Sequence, residues 1–352
     1  MKSTLNKRSK VPKQFLEMYD KGAIPFPVCE FVVLEKNDLV HYSVHHWDKL
    51  QDATPTICLH GLNGSRLLFS DLLAVIDKHY PTLPFLAIDL FGHGLSSCPG
   101  RKYDAKFFVD QVDRLLTHLG IPKGRKINIL GFSLGGAIAV AFARHFPERI
   151  ERLALISPAG FVPIANKRKS PKQAAPEVDG DEEEHVPGIP SNVKLVKWVP
   201  SFILSPLMRM MFKSAFSHPQ PELPADVPLH VREEHKVQMD RLVWQSFVKK
   251  GTFDATISIV KHFPLFNMEK DYAAVRDSVV GKERPVLLIW GAQDRVNPLN
   301  LCGDRIKSFF KNSFLLKVDD AGHVVLNEQP TVVISSILSF LQSPPDFRFF
   351  RD

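Results

Sequence analysis

Three residues far apart in the chain, Ser133, Asp294 and His323, have the types needed to activate a hydroxyl. Serine is a poor nucleophile at neutral pH, so its use demands a base to take the proton and a group to orient that base. Ser133 sits in Gly131-Phe132-Ser133-Leu134-Gly135, after the apolar run Ile127-Asn128-Ile129-Leu130 and before the Ala-rich stretch that starts at Gly136. An apolar run, then Gly-x-Ser-x-Gly, then a helical stretch is the signature of a nucleophile elbow. The turn is strained, and the backbone accepts that only beside very small neighbours. It lifts the hydroxyl clear of the chain and aims the free N–H groups of a new helix at any negative charge that develops there. The pentapeptide alone occurs by chance in many proteins; its place between these two elements makes it specific.

Asp294 ends Trp290-Gly291-Ala292-Gln293-Asp294, just past an apolar run that begins at Pro285. His323 ends Asp319-Asp320-Ala321-Gly322-His323, just past a strand expected over 313–318. Reactive crevices of open α/β sheets lie at the carboxyl ends of the strands. Strand ends in the order Ser, Asp, His therefore converge on one rim.

The elements that must position these residues follow from periodicity. Strands are expected over 29–35 and 39–46 around a turn at Asn37-Asp38, then over 56–59, 83–88, 127–130, 153–156, 285–290 and 313–318. Helical spacing appears over 67–79, 107–119, 137–145 and 331–341. Alternation of strands and helices predicts an α/β, doubly wound, mostly parallel sheet. Continuous apolar runs, in place of strict alternation, say that both faces of that sheet are covered.

The rhythm breaks after Phe161 and resumes at Pro285. Residues 166–190 hold a basic block, then Pro and Gly, then Asp179-Gly180-Asp181-Glu182-Glu183-Glu184, and read as a mobile loop too polar to bury. Residues 193–263 are helical in character, with apolar runs at 202–204 and 207–212. An inserted helical cap of roughly 120 residues explains the gap better than one long loop could. The expected division is a basic N-terminal tail (1–27), a core (28–160 and 285–343), a cap (161–284) and a C-terminal tail (344–352).

Each chemical reading has a plainer rival. Asp294 could instead cap a helix starting at Pro298, and Asp319 or Asp320 could replace it beside His323. His60 and His93 read as loop residues that bond locally, and Asp89 as the residue that holds the turn Phe91-Gly92-His93-Gly94.

With 352 residues, 44% of them hydrophobic, the chain can build an ample core without covalent staples. The net charge of +7 raises nucleic acid or an anionic membrane surface as partners. The excess gathers in Lys2, Lys7, Arg8, Lys10 and Lys13 and in Lys167-Arg168-Lys169, without a basic stripe interleaved with aromatics, so no nucleic acid is expected. Cys29, Cys58, Cys98 and Cys302 lack CxxC spacing and read as reduced thiols of a cytoplasmic protein. No metal is expected from the spacing of the 14 histidines, no cofactor from any glycine-rich phosphate loop, and no secretory leader from the N-terminus.

His60-Gly61, the Asp89 to Gly94 turn, the Ser133 elbow, Gly291 to Asp294 and Gly322-His323 together resemble the α/β-hydrolase superfamily, in the branch with a helical cap between strands 6 and 7. The resemblance covers about residues 28 to 343. It implies Ser133 as nucleophile, His323 as base and then acid, and Asp294 as orienter of His323. It also implies an oxyanion hole from the backbone N–H groups of Leu62 and Leu134, with His60 and Gly61 supporting that loop. Epoxide hydrolases and haloalkane dehalogenases of this fold use aspartate at the elbow, so serine points to acyl transfer to water.

The expected activity is a serine hydrolase cleaving carboxylic esters through an acyl-enzyme. The apolar cap suggests medium or long acyl chains, such as monoacylglycerols or lysophospholipids, with peripheral contact to an anionic membrane. Alternatives on the same fold are a thioesterase, a carbon–carbon bond hydrolase or a proline-type peptidase, which the triad does not separate. An alternative of another class is an inactive hydrolase fold that serves as a binding protein.

Overall fold

Strands that are apolar at every position need cover on both faces, and the computed structural model supplies it. It describes residues 26–27, 29–35, 38–161, 199, 203–207, 210 and 229–344. The strands are β1 (Glu30–Val33), β2 (Leu39–His45), β3 (Thr56–Leu59), β4 (Phe85–Ile88), β5 (Ile127–Phe132), β6 (Ile150–Ile156), β7 (Val286–Gly291) and β8 (Ser313–Val318). They form one sheet in the order β1-β2-β4-β3-β5-β6-β7-β8. β1 pairs antiparallel with β2, and β2 with β4; every later pairing is parallel. The doubly wound expectation therefore holds, with an antiparallel hairpin added at one edge.

The pleat sorts the core into two layers. Ile57, Leu59, Leu86, Ile88, Leu153, Leu155, Leu288 and Trp290 face one way. There they meet α2 (Ala105–His118), α3 (Leu134–His145) and α7 (Leu299–Lys307). Cys58, Phe85, Ala87, Leu130, Ala154, Ile156, Leu287 and Ile289 face the other way, against α1 (Ser70–His79) and α8 (Pro330–Gln342). A fully buried Leu or Ile contributes about 1.5–3 kcal/mol. Layers this complete therefore make the strand ends rigid supports for whatever follows them.

Boundaries shift from the sequence expectation where local chemistry decides. The helix expected over 67–79 is a 3-10 turn, Arg66–Phe69, followed by α1. The expected start of α2 at Phe107 moves to Ala105, because the Asp104 carboxylate accepts the Phe107 N–H at 3.0 Å and caps it. α3 begins at Leu134, directly after Ser133, three positions before the expected Ala137.

Between β6 and β7 the insertion contains α4 (Leu229–Val243), a π-helical turn (Trp244–Val248), α5 (Thr252–His262) and α6 (Glu269–Asp277). The expected loop over 166–190, most of the apolar run 193–212, the tail 1–25, Asn37 and residues 345–352 lie outside the described residues. Residues 26 and 27, expected within the tail, are part of the packed body. Phe26 is buried edge-on against Trp244 at 5.4 Å between centroids, and the Pro27 carbonyl accepts from Arg66 at 2.9 Å.

Candidate active site

Ser133 stands between the last residue of β5 and the first of α3, with φ 51° and ψ −114°. A non-glycine residue there costs about 1–3 kcal/mol and persists only where its surroundings over-determine it. They do so here. Ser133 N–H donates to Ile156 C=O (3.0 Å), while Ser133 C=O accepts from Ala137 N–H (3.1 Å) and Ala159 N–H (3.0 Å).

Asp294 follows β7 and is buried, and its two carboxylate oxygens do separate work. Oδ1 accepts the N–H groups of Val296 (2.9 Å) and Asn297 (2.8 Å); Oδ2 lies 2.8 Å from His323 Nδ1. A carboxylate can only accept, so Nδ1 carries the imidazole proton and Nε2 presents its lone pair. Ser133 Oγ donates to that Nε2 over 3.2 Å. The rival readings of Asp294 resolve: the residue capping α7 is Pro298, and the carboxylate instead closes the turn at 296–297. Asp319 is exposed and pairs with Lys317 at 2.9 Å, and Asp320 is exposed as well.

Gly61 passes directly over the elbow. A Cβ on it would lie 2.9 Å from the Phe132 ring and 3.2 Å from Ser133 Cβ. Its carbonyl is held by Gly64 N–H (3.1 Å) and His60 Nδ1–H (2.7 Å). A trans peptide puts its N–H opposite its C=O, so the Leu62 amide points away from those bonds. Neither Leu62 N–H nor Leu134 N–H has a protein acceptor among the described residues. Leu134 N–H is the first free amide of α3, where the helix dipole favours an anion.

His60 is a support, as its loop position suggested. It is buried, and its Nε2 accepts Leu90 N–H at 3.0 Å, so it is neutral; burial lowers its pKa. His93 gives Nδ1–H to Phe91 C=O at 3.0 Å, and burial, reinforced by His60, pulls its pKa down to about 3. Asp89 fastens the turn it heads, accepting from Arg66 N–H (2.7 Å) and Leu95 N–H (2.9 Å).

Several participants gave no signal in sequence. Glu328 accepts Gly322 N–H (2.5 Å) and Val324 N–H (3.0 Å), gripping His323 from both flanks. Asn297 ties the Asp294 turn to Ser157 C=O at 2.9 Å. His41 meets Asp89 Oδ2 at 2.7 Å beside Ser96, a second histidine–carboxylate pair next to a serine. It has no free lone pair, because Cys29 N–H occupies its Nε2 at 3.0 Å. Glu328 lies only six and four residues from the Gly322 and Val324 amides, a local grip that no recognised motif marks.

Ser133, His323 and Asp294 thus form an arrangement in which a proton can pass between Ser133 Oγ and His323 Nε2 while Asp294 keeps the imidazole oriented. No group of three or more His, Cys, Asp or Glu side chains that could hold a metal occurs among the described residues. No helix among them is long and apolar enough to cross a membrane.

A mostly parallel sheet with a serine elbow and this strand-end chain is the architecture of an α/β hydrolase. The family model for the alpha/beta hydrolase fold matches residues 54–330, and the chain belongs to that family. Among curated proteins it is 34% identical over 124 residues to a human serine hydrolase-like protein, covering 35% of this chain and 58% of that one. The mouse serine hydrolase-like protein matches at 31% over 132 residues, 37% of this chain and 40% of its own. The chain therefore spans only about half the length of these relatives. In structure it is similar to MGS-M2, an alpha/beta hydrolase enzyme from a Medee basin deep-sea metagenome library. That likeness has TM-score 0.62 and 18% identity over 91% of this chain and all of the other. A thermophilic esterase from Thermogutta terrifontis matches with TM-score 0.57 and 18% identity, covering 89% of this chain and 97% of its own.

Proposed function

We propose that the protein is a serine hydrolase that cleaves carboxylic esters through a covalent acyl-enzyme. The observation that carries this is the unbroken path of Ser133 Oγ to His323 Nε2 (3.2 Å) and His323 Nδ1 to Asp294 Oδ2 (2.8 Å). Ser133 Oγ attacks the ester carbonyl as His323 Nε2 takes its proton. The resulting oxyanion is received by the Leu62 and Leu134 N–H groups. Collapse breaks the acyl–oxygen bond, and the imidazolium returns the proton to the leaving alcohol. Water then repeats the sequence on the acyl-enzyme and releases the acid and free Ser133. Asp294 stays ionised throughout and stabilises the transient imidazolium.

The acyl group we propose is medium or long, as in monoacylglycerols or lysophospholipids. Support comes from the insertion, where Ile203, Leu207 and Met210 present apolar side chains to solvent at helical spacing. With the basic residues of the N-terminus, that face suits peripheral contact with an anionic membrane. Cys29, Cys58, Cys98 and Cys302, none of them in a disulfide, fit a cytoplasmic protein.

Fluorophosphonate labelling tests the chemistry: the wild-type chain takes the label and Ser133→Ala does not. A panel of nitrophenyl esters tests the acyl group, and acetate outpacing octanoate would exclude the long-chain reading. Sedimentation with anionic liposomes, lost at high salt, tests membrane contact.

A further inference from the structure

Gly61-Leu62-Asn63-Gly64 makes a hydrogen-bonded turn with Asn63 in the left-handed region at φ 57°. Asn is one of few residues to accept that conformation, which the third position of a type II turn requires. Two side chains from the insertion grip this residue. Gln245 Nε2–H donates to the Asn63 carbonyl at 3.3 Å, and Thr256 Oγ1–H donates to Asn63 Oδ1 at 3.1 Å.

Gln245 is fixed at its other end as well. Its Oε1 accepts Gly94 N–H at 2.6 Å, so the amide cannot turn over without losing both bonds. Only 2% of Gln245 is exposed, and it lies in the π-helical turn Trp244–Val248. Such turns are rare and recur at functional sites, because one extra residue per turn re-aims the side chains after it.

Further polar ties join this part of the insertion to the same region of the core. Lys249 Nζ donates to His93 C=O at 2.9 Å, and Tyr103 N–H donates to Ser258 Oγ at 3.1 Å. The segment 244–258 is therefore bonded to the turns at 61–64 and 89–103.

We propose that Gln245 and Thr256 are positioning residues for the reaction: they hold Asn63, and through it the Leu62 N–H, in register with Ser133. This inference rests on the acyl-transfer reading above. A role limited to docking the insertion would change stability or KM; a role in placing the amide lowers the rate at which charge forms on the oxyanion.

The test compares Gln245→Leu, Thr256→Val and Thr256→Ser with the wild type on nitrophenyl acetate, which is too short to need the insertion for binding. Expected for Gln245→Leu and Thr256→Val is a fall in kcat and in the fluorophosphonate labelling rate of about 10-fold or more, with KM within about twofold and a cooperative melt retained. Thr256→Ser, which keeps the hydroxyl, restores most of kcat. Asn63→Ala combined with Thr256→Val is no slower than Asn63→Ala alone, since both break one contact. If Gln245→Leu fails to fold, the Thr256 pair decides. Folded variants with wild-type kcat and labelling rate overturn this inference and leave the acyl-transfer reading intact. A wild-type chain that takes no label at Ser133 overturns both.

Discussion

Gly135 packs against the carbonyl of Leu59, where a Cβ would lie 2.0 Å from the oxygen. Leu59 ends β3, directly before His60-Gly61, and Gly135 is the second residue of α3, two positions after Ser133, so this contact sets the distance between the elbow and the neighbouring turn. The obstacle is backbone on both sides and cannot swing away. Gly135→Ala is expected to destabilise the fold by about 1–3 kcal/mol or more. It should also slow fluorophosphonate labelling of whatever folds, which a melting curve and a labelling time course check together.

Asp294→Asn is predicted to cripple turnover without unfolding the protein. The Val296 and Asn297 amides need an oxygen at the Oδ1 position, so the new NH2 is forced towards His323 Nδ1. The imidazole must then accept at Nδ1 and carry its proton on Nε2, where it faces Ser133 as a donor. Loss of about 10⁴-fold in kcat is the scale for a wrong tautomer in a serine–histidine–aspartate site, measured beside an unchanged circular dichroism spectrum.

Glu328→Gln offers one acceptor oxygen where the carboxylate offers two to Gly322 and Val324. Its NH2 then confronts one backbone N–H. The His323 loop should loosen, with kcat falling about 10- to 100-fold, since displacements near 1 Å at a reacting group reach that size. Glu328→Asp, too short to bridge both amides, should not rescue. A wild-type rate in Glu328→Gln would remove this residue from the account.

Stability is expected to fall as the solution is acidified below neutral. His41, His60 and His93 have pKa values lowered by burial, His93 to about 3, so the unfolded chain binds protons that the folded one refuses. For a lowered folded pKa, the stabilisation is complete above the unfolded histidine value near ~6.5 and is lost as pH drops through that value towards the folded one. Each such histidine contributes about 1.4 kcal/mol per pH unit in that window. Urea unfolding between pH 7.5 and 4.5 measures the slope, and His93→Gln should flatten it.

Sequence alone was enough for the alternation of strands and helices and for the order of Ser133, Asp294 and His323. Those features are written in local periodicity and in glycines that a strained turn demands. It also marked His60 and Asp89 as supports from their places in turns, although the partners Leu90 and Arg66 lie 30 and 23 residues away. What it left open was settled by distance in three dimensions. Asp294 against Asp319 or Asp320 was decided by which carboxylate meets the imidazole, a relation across 29 residues. Asn63, Gln245 and Thr256 bond main-chain or side-chain groups whose partners lie up to 193 residues away. No spacing encodes such contacts; they exist only once the sheet and the insertion have packed, since a hydrogen bond depends on where atoms come to rest and not on their order in the chain.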